Sequence, residues 1–295
     1  MTLRITTQTM AASASRQLAA AQGRLADAQE TATSLRRITR PSDDPAGTAQ
    51  ALRVRAETAA NAQYGRNIDN GTAWLTRVDA ALGNATDAII SARDSVQQSL
   101  NASRTPADRA AFAQQIDALR ADLLAAANTT HQGRNLFAAT ADTPAAFTDG
   151  QPPVYTGVAG DAVQRRFGPE QTVRVDADGA AIFGTGGGSV FALLDAISTE
   201  LRAGGTGTGR LAELDTALRT VTTARADAGA RLSTLTAAKD ANAAAKVSLE
   251  SNRAAIEDVD LGTAVLDLQL QQTSYQAALA VTAKTLQSTL MDFLR

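Results

Sequence analysis

Apolar residues recur at alternating spacings of four and three over a long stretch of the chain. The series runs without a miss through Tyr64, Ile68, Gly71, Leu75, Val78, Leu82, Ala85, Ile89, Ala92 and Val96. This is the heptad spacing of a helix that packs against a partner along one stripe. The same spacing returns far downstream, with Leu214, Leu218, Val221, Leu232 and Leu235. We therefore expect a rod in which a helix from the first half pairs with one from near the other end.

Breaks in this pattern predict where the helices begin and end. An amphipathic helix is predicted from about residue 8 to 38, and the RPSDDP segment at 40–45 ends it because Pro41 disfavours helical geometry at Arg40. Pro45 suits the first turn of a second helix, predicted to extend to about Leu100. Thr105, with Asp108 three residues later, predicts a capping box for a third helix, whose apolar positions are Phe112, Ile116, Leu119 and Leu123.

The middle of the chain has a different pattern. From about 139 to 188, short runs with β-branched and aromatic residues (PVYTG, AVQRRF, QTVRVD, AAIFG) alternate with turn residues, including Asp178-Gly179. This is typical of a small antiparallel β unit. A helix is then predicted over Val190–Leu201, followed after residue 210 by the returning rod and, beyond SNRAAIEDVD, by a last helix capped by Asp258 or Asp260.

These elements predict a mainly α fold: a long antiparallel coiled coil or helical bundle built from the N- and C-terminal thirds, with a small β-rich insert. Three domains are expected. A terminal helical assembly domain comprises 1–42 and 255–295, a helical rod domain comprises 43–138 and 189–254, and the insert comprises 139–188. Four polar residues interrupt the seam of the returning rod, where such residues can fix register; they are Arg225, Lys239, Asn242 and Lys246.

The terminal helices are predicted to contact other subunits. Two slender Ala-rich helices bury little surface, so ordering them needs packing from elsewhere. We favour neighbouring subunits over an intramolecular hairpin as the source of that packing. The predicted interface positions are Leu3, Ile5, Leu18, Leu25, Leu35, Leu261, Val265, Leu268, Tyr275, Leu279, Leu286, Leu290 and Phe293.

Composition offers little chemistry. The chain has no cysteine, one histidine (His131) and a formal charge of -2, which argues against thiol or zinc chemistry and against nucleic-acid binding. The glycine clusters at 184–188 and 204–209 lack the Lys-Ser/Thr of a phosphate loop. We expect no catalytic site, cofactor or metal, and no membrane insertion, since no stretch approaches the roughly 18 apolar residues of a membrane span.

Several segments resemble the flagellin family, in particular its hook-associated branch. They are RPSDDPAGTAQAL, GRNLFA at 133–138, IEDVDL at 256–261, YQAAL at 275–279 and the ending LMDFL, so the resemblance covers about 1–138 and 210–295. One departure is local: the family often has Ser-Gly where this chain has Ser34-Leu35.

The resemblance implies a structural subunit of the bacterial flagellum between hook and filament, exported without a cleaved signal peptide. Its implied partners are copies of itself, another hook-associated protein, hook or filament subunits, and an export chaperone. Filament flagellin is the nearest alternative. A soluble coiled-coil signalling or effector protein is the alternative from another class, and an enzyme in the β insert is the weakest.

Overall fold

The computed structural model describes residues 7–100 and 105–293. The helices are α1 (Thr7–Ser34), α2 (Pro45–Ser99), α3 (Pro106–Ala127), α4 (Gly179–Phe183), α5 (Val190–Arg202), α6 (Leu211–Glu257) and α7 (Leu261–Phe293). The strands are β1 (Thr130–His131), β2 (Arg134–Asn135), β3 (Phe147–Thr148), β4 (Val154–Tyr155), β5 (Gln164–Arg166) and β6 (Thr172–Arg174). Long helices from both terminal regions and a small middle region with short antiparallel strands confirm the predicted fold class.

Most helix ends follow the predicted signals. The α3 capping box forms, because Asp108 N donates to Thr105 Oγ1 at 3.2 Å and Thr105 N donates to Asp108 Oδ2 at 2.8 Å. Asp260, rather than Asp258, caps α7: its Oδ2 accepts from Thr263 N at 3.1 Å. The prediction was wrong for α1, which ends at Ser34 and not near residue 38. Leu35 leaves the helix with a φ of 55°, the left-handed conformation common at helix C-termini.

The six strands form three separate two-stranded antiparallel ladders, β1–β2, β3–β4 and β5–β6. The first ladder lies before residue 139, outside the predicted insert. The AAIFG run was predicted as a strand and Asp178-Gly179 as a turn, and both predictions were wrong. Asp178 instead caps α4, since its Oδ1 accepts from Ala181 N at 3.1 Å. Aspartate favours both turns and helix starts, and here the helix start prevails.

The chain divides into two compact units. The terminal unit comprises residues up to Ala59 together with those from Lys246 onwards, and the rod unit comprises Ala60–Ala245. Both α2 and α6 contribute to each unit. The three-domain division of the sequence stays a prediction.

A continuous hydrophobic core fills the rod unit. Of the predicted rod-core residues, eleven are buried there: Ile68, Leu75, Val78, Leu82, Ile89, Val96, Ile116, Leu123, Leu214, Val221 and Leu235. Four more are partly buried against it, namely Phe112, Leu119, Leu218 and Leu232. Tyr64 is half-buried. Alternating four-three spacing thus places these side chains along the inner face of the helices.

Aromatic side chains from the insert extend this core. Phe147 has its ring centroid 5.2 Å from Phe191 of α5 and 5.8 Å from Phe183 of α4. Phe137 meets Phe183 edge-on at 5.3 Å, an arrangement that aromatic pairs favour. The insert therefore packs onto α5 through its own aromatic cluster.

Three of the four polar seam residues have partners on α2. Arg225 Nε lies 2.9 Å from Asp79 Oδ1, and Lys239 Nζ lies 2.9 Å from Asp69 Oδ1. Asn242 pairs with Asn61. The residue number on α6 rises from one pair to the next while that of the partner on α2 falls, so the two helices run antiparallel. The hydrogen bond to Asp69, together with the charge of that carboxylate, raises the pKa of Lys239.

Candidate assembly surface

The terminal unit is built around the pairing of α1 with α7. These helices pack along one another. They run in opposite directions, because the residues that follow α1 bond to the residues that precede α7: Val259 N donates to Leu35 O at 3.0 Å. The buried side chains of the pair, among those described, are Ala21 and Ala28 of α1 and Ala264 of α7. Alanines therefore form the most deeply buried part of this contact, and the larger apolar side chains described in the two helices are less buried.

The predicted interface residues that the structure describes are half-buried or exposed, and none of them is fully buried. Leu18, Leu25, Leu268 and Tyr275 are half-buried. Leu35, Leu261, Val265 and Leu279 are exposed. Leu3 and Ile5, and the side chains of Leu286, Leu290 and Phe293, lie outside the described residues. The structure pairs the two helices within one chain. The role of these thirteen residues between subunits stays a prediction.

Three exposed residues of α7 were missed by the sequence interpretation. Leu266, Leu270 and Val281 are 68%, 62% and 66% exposed. They lie off the three-four stripe, so a search for one amphipathic face overlooks them. The signal was present in the segment LGTAVLDLQL, which carries apolar residues on more than one side. A helix that is apolar on several faces is normally covered on several faces, and α1 covers only one.

Exposed large hydrophobic residues concentrate in the terminal unit. Thirteen are found among the described residues, and nine belong to this smaller unit, including Leu52 of α2 and Val247 of α6. Contiguous exposed apolar surface commonly marks an interaction site. Fully burying one such side chain contributes about 1.5–3 kcal/mol, so several together could drive association.

The structure provides little basis for catalysis. His131 lies in β1 and is half-buried, and its ring meets Trp74 edge-on at 5.6 Å. Among the residues that the structure describes, no three His, Cys, Asp or Glu side chains are grouped to hold a metal. Within that same part of the chain, we found no helix with the length and apolar character needed to cross a membrane.

Long helices from both terminal regions, with several exposed apolar residues on α7, are typical of a structural subunit that assembles with others. Comparison with known proteins gives the same class. Residues 5–142 match the bacterial flagellin N-terminal helical region, and residues 211–294 match the bacterial flagellin C-terminal helical region.

Flagellar hook-associated protein 3 of Escherichia coli K12 is 31% identical over 240 residues, covering 79% of this chain and 71% of the relative. Its counterpart from Salmonella typhimurium is 25% identical over 269 residues, covering 82% and 84% of the respective chains. A solved structure of a putative flagellar hook-associated protein from Vibrio parahaemolyticus shares the fold, with a TM-score of 0.67 and 24% identity. It covers 72% of this chain and 99% of that one.

This chain belongs to the flagellin family, among the relatives of hook-associated protein 3. It is a structural protein of the bacterial flagellum and not an enzyme. Assembly with other flagellar components follows from that membership.

Proposed function

We propose that this protein is the subunit that joins hook to filament in the bacterial flagellum. The main support for this proposal is the exposed apolar face of α7, which includes Leu266 and Leu270 and which α1 leaves uncovered. In this account, the terminal helices of neighbouring copies cover that face, and assembly completes the packing that one chain leaves unfinished. The rod unit has its own core and folds independently of assembly.

The proposed partners follow from that position. They are neighbouring copies of the same chain, another hook-associated protein, and hook or filament subunits. An export chaperone would cover the C-terminal helix before assembly, when its apolar face would otherwise be open to water. The proposed location is extracellular, on the flagellum, after export without a cleaved signal peptide.

Deletion of the gene from its own strain tests the junction assignment. We expect intact hooks without filaments, together with flagellin released into the medium, because filament subunits would have nothing to attach to. Electron microscopy and immunoblots of the medium measure both, and the wild-type gene supplied on a plasmid serves as the control. Hooks that lack filaments while the medium contains no flagellin would indicate filament flagellin instead. Unaltered flagella would favour the coiled-coil signalling alternative.

A further inference from the structure

The connections between α1 and α2 and between α6 and α7 are bonded to each other. Arg37 N donates to Glu257 O at 2.7 Å, and Val259 N donates to Leu35 O at 3.0 Å. Arg36 and Asp258 form an antiparallel bridge between these two bonds. The two helix breaks therefore form one short piece of paired backbone within the terminal unit.

A buried carboxylate lies at this point. Glu257 is only 2% exposed. The other buried residues described in the terminal unit are small: Ala21, Ala28, Gly47, Ala51 and Ala264. The largest buried side chain of the unit is therefore a charged one. Burying a carboxylate costs several kcal/mol unless opposite charges compensate for the lost hydration.

Arginine side chains supply that compensation. Arg55 NH2 lies 2.7 Å from Glu257 Oε1, and Arg253 NH1 lies 3.6 Å from Oε2. The Arg55 contact is not aligned as a hydrogen bond, so its attraction is mainly coulombic. Arg37 NH2 donates to Ile256 O at 2.9 Å. Positive charge is also favourable here because α6 ends at Glu257, where the helix dipole is negative.

We propose that Glu257 and Arg55 form a clamp that fixes both connections and thereby positions the α1–α7 pair for assembly. The inference rests on the proposed function and names the residues that hold the assembly surface in position. The fully buried apolar side chains of this unit are alanines, so the ion pair at Glu257 and the bond from Arg37 to Ile256 O are important side-chain constraints on the two breaks. Fixing a binding surface before association reduces the entropy lost when subunits meet.

Replacement of Glu257 by glutamine in the full-length chain tests the clamp directly. Glu257→Gln removes the charge and keeps the shape of the side chain. Hydrogen exchange at the amides of Arg37 and Val259 should accelerate about ten-fold or more, because these amides donate across the paired breaks. Unchanged fluorescence of Trp74, the only tryptophan, would show that the rod unit is intact.

Glu250→Gln is the matched control. Glu250 contacts the same Arg253, at 2.8 Å, but its side chain is 62% exposed. Exchange at Arg37 and Val259 should be unaltered in this variant. If Glu257→Gln also leaves exchange at both amides at the wild-type rate, there is no clamp.

The positioning role is tested in the deletion strain. Arg55→Met should lose filaments and release flagellin, whereas Arg55→Lys, which keeps the charge, should restore filaments at least in part. If Arg55→Met and Glu257→Gln accelerate exchange yet build filaments as well as wild type, the positioning role is overturned and the junction function stands. Failure of the junction function itself would appear in the deletion strain alone, before any variant is introduced.

Discussion

Asn61 and Asn242 exchange side-chain hydrogen bonds between α2 and α6. Asn242 Nδ2 lies 2.8 Å from Asn61 O and 2.7 Å from Asn61 Oδ1, and Asn61 Nδ2 donates to Asn242 O at 3.1 Å. Only one alignment of the two antiparallel helices allows all three bonds. A polar pair in an apolar seam thus fixes register at some cost in stability.

Asn242→Leu should lower the free energy of unfolding by about 1–3 kcal/mol, because the half-buried amide of Asn61 loses its partners. Denaturant unfolding monitored by circular dichroism measures the change. Lys239→Met, which breaks an exposed ion pair in the same seam, is the control and should have little effect. In the Asn61→Ala, Asn242→Ala double variant, the loss should be smaller than the sum of the single losses. Additive losses would mean that the pair does not act as a unit.

Gly71 of α2 should not tolerate alanine. A Cβ there would lie 2.9 Å from Leu235 Cδ1 and 3.2 Å from Val175 Cγ1. Gly71→Ala should therefore lower the unfolding free energy by about 1–3 kcal/mol, despite the better helix propensity of alanine. Gly229 of α6 is the matched control, since nothing lies within 4 Å of its Cβ position. Gly229→Ala should raise stability by about 0.5–1 kcal/mol. Equal effects at the two positions would contradict this packing.

The left-handed conformation at Leu35 predicts opposite outcomes for two substitutions. Leu35→Gly should keep or strengthen the hydrogen bond from Val259 N, since glycine adopts a φ of 55° without strain. Leu35→Val should weaken it, by about 1–2 kcal/mol, because β-branched residues rarely adopt positive φ. Hydrogen exchange at the Val259 amide reports the local effect. Faster exchange in the glycine variant than in the valine variant would show that the positive φ at residue 35 is not strained for a side chain.

The hydroxyl of Tyr155 should ionise at a higher pH than that of an ordinary tyrosine. Burial, with the nearby charges of Asp178 and Asp176, raises the pKa of Tyr155 to about 12. Its hydroxyl donates to Phe137 O at 3.0 Å. The unfolded chain loses this proton near pH 10, so the folded state binds more protons between about pH 10 and 12, and stability should fall across that range. Urea unfolding at several pH values measures the slope. Tyr155→Phe should reduce the dependence of stability on pH in this range. An unchanged dependence would show that it does not arise from Tyr155.

The heptad spacing and the Pro, Thr and Asp signals were sufficient to predict the long helices and the α3 cap. The features that the sequence did not predict depend on contacts between residues distant in the chain. Asp178-Gly179 and AAIFG are compatible with a turn and a strand, but Gly179 lies against Phe137 O, and the run becomes the helix α4. The ion pair between the exposed side chain of Arg55 and the buried carboxylate of Glu257 joins residues about two hundred positions apart, and no local pattern indicates it.

For α7, the sequence pattern indicated one apolar face, whereas the structure has exposed apolar residues on more than one face. A stripe at three-four spacing includes Val265 and omits Leu266 and Leu270. Those two are among the most exposed apolar residues described, because α1 packs elsewhere on α7. A single-stripe search assumes one partner helix, whereas this helix has apolar surface for several.

Substitution of two α7 leucines tests whether the exposed apolar face of α7 is needed for assembly. The double variant Leu266→Gln, Leu270→Gln should fold as a monomer with an unfolding free energy within about 0.5 kcal/mol of wild type, since both positions are exposed. The matched control is Val154→Gln, Val158→Gln in the rod unit, at positions 63% and 49% exposed. Each variant is expressed in the deletion strain, and we measure filaments on hooks and the amount of variant protein and flagellin in the medium. We expect the α7 variant to be exported but released, with flagellin, from hooks that lack filaments, whereas the control should build normal filaments. Normal filaments from the α7 variant would show that this face is not needed for assembly.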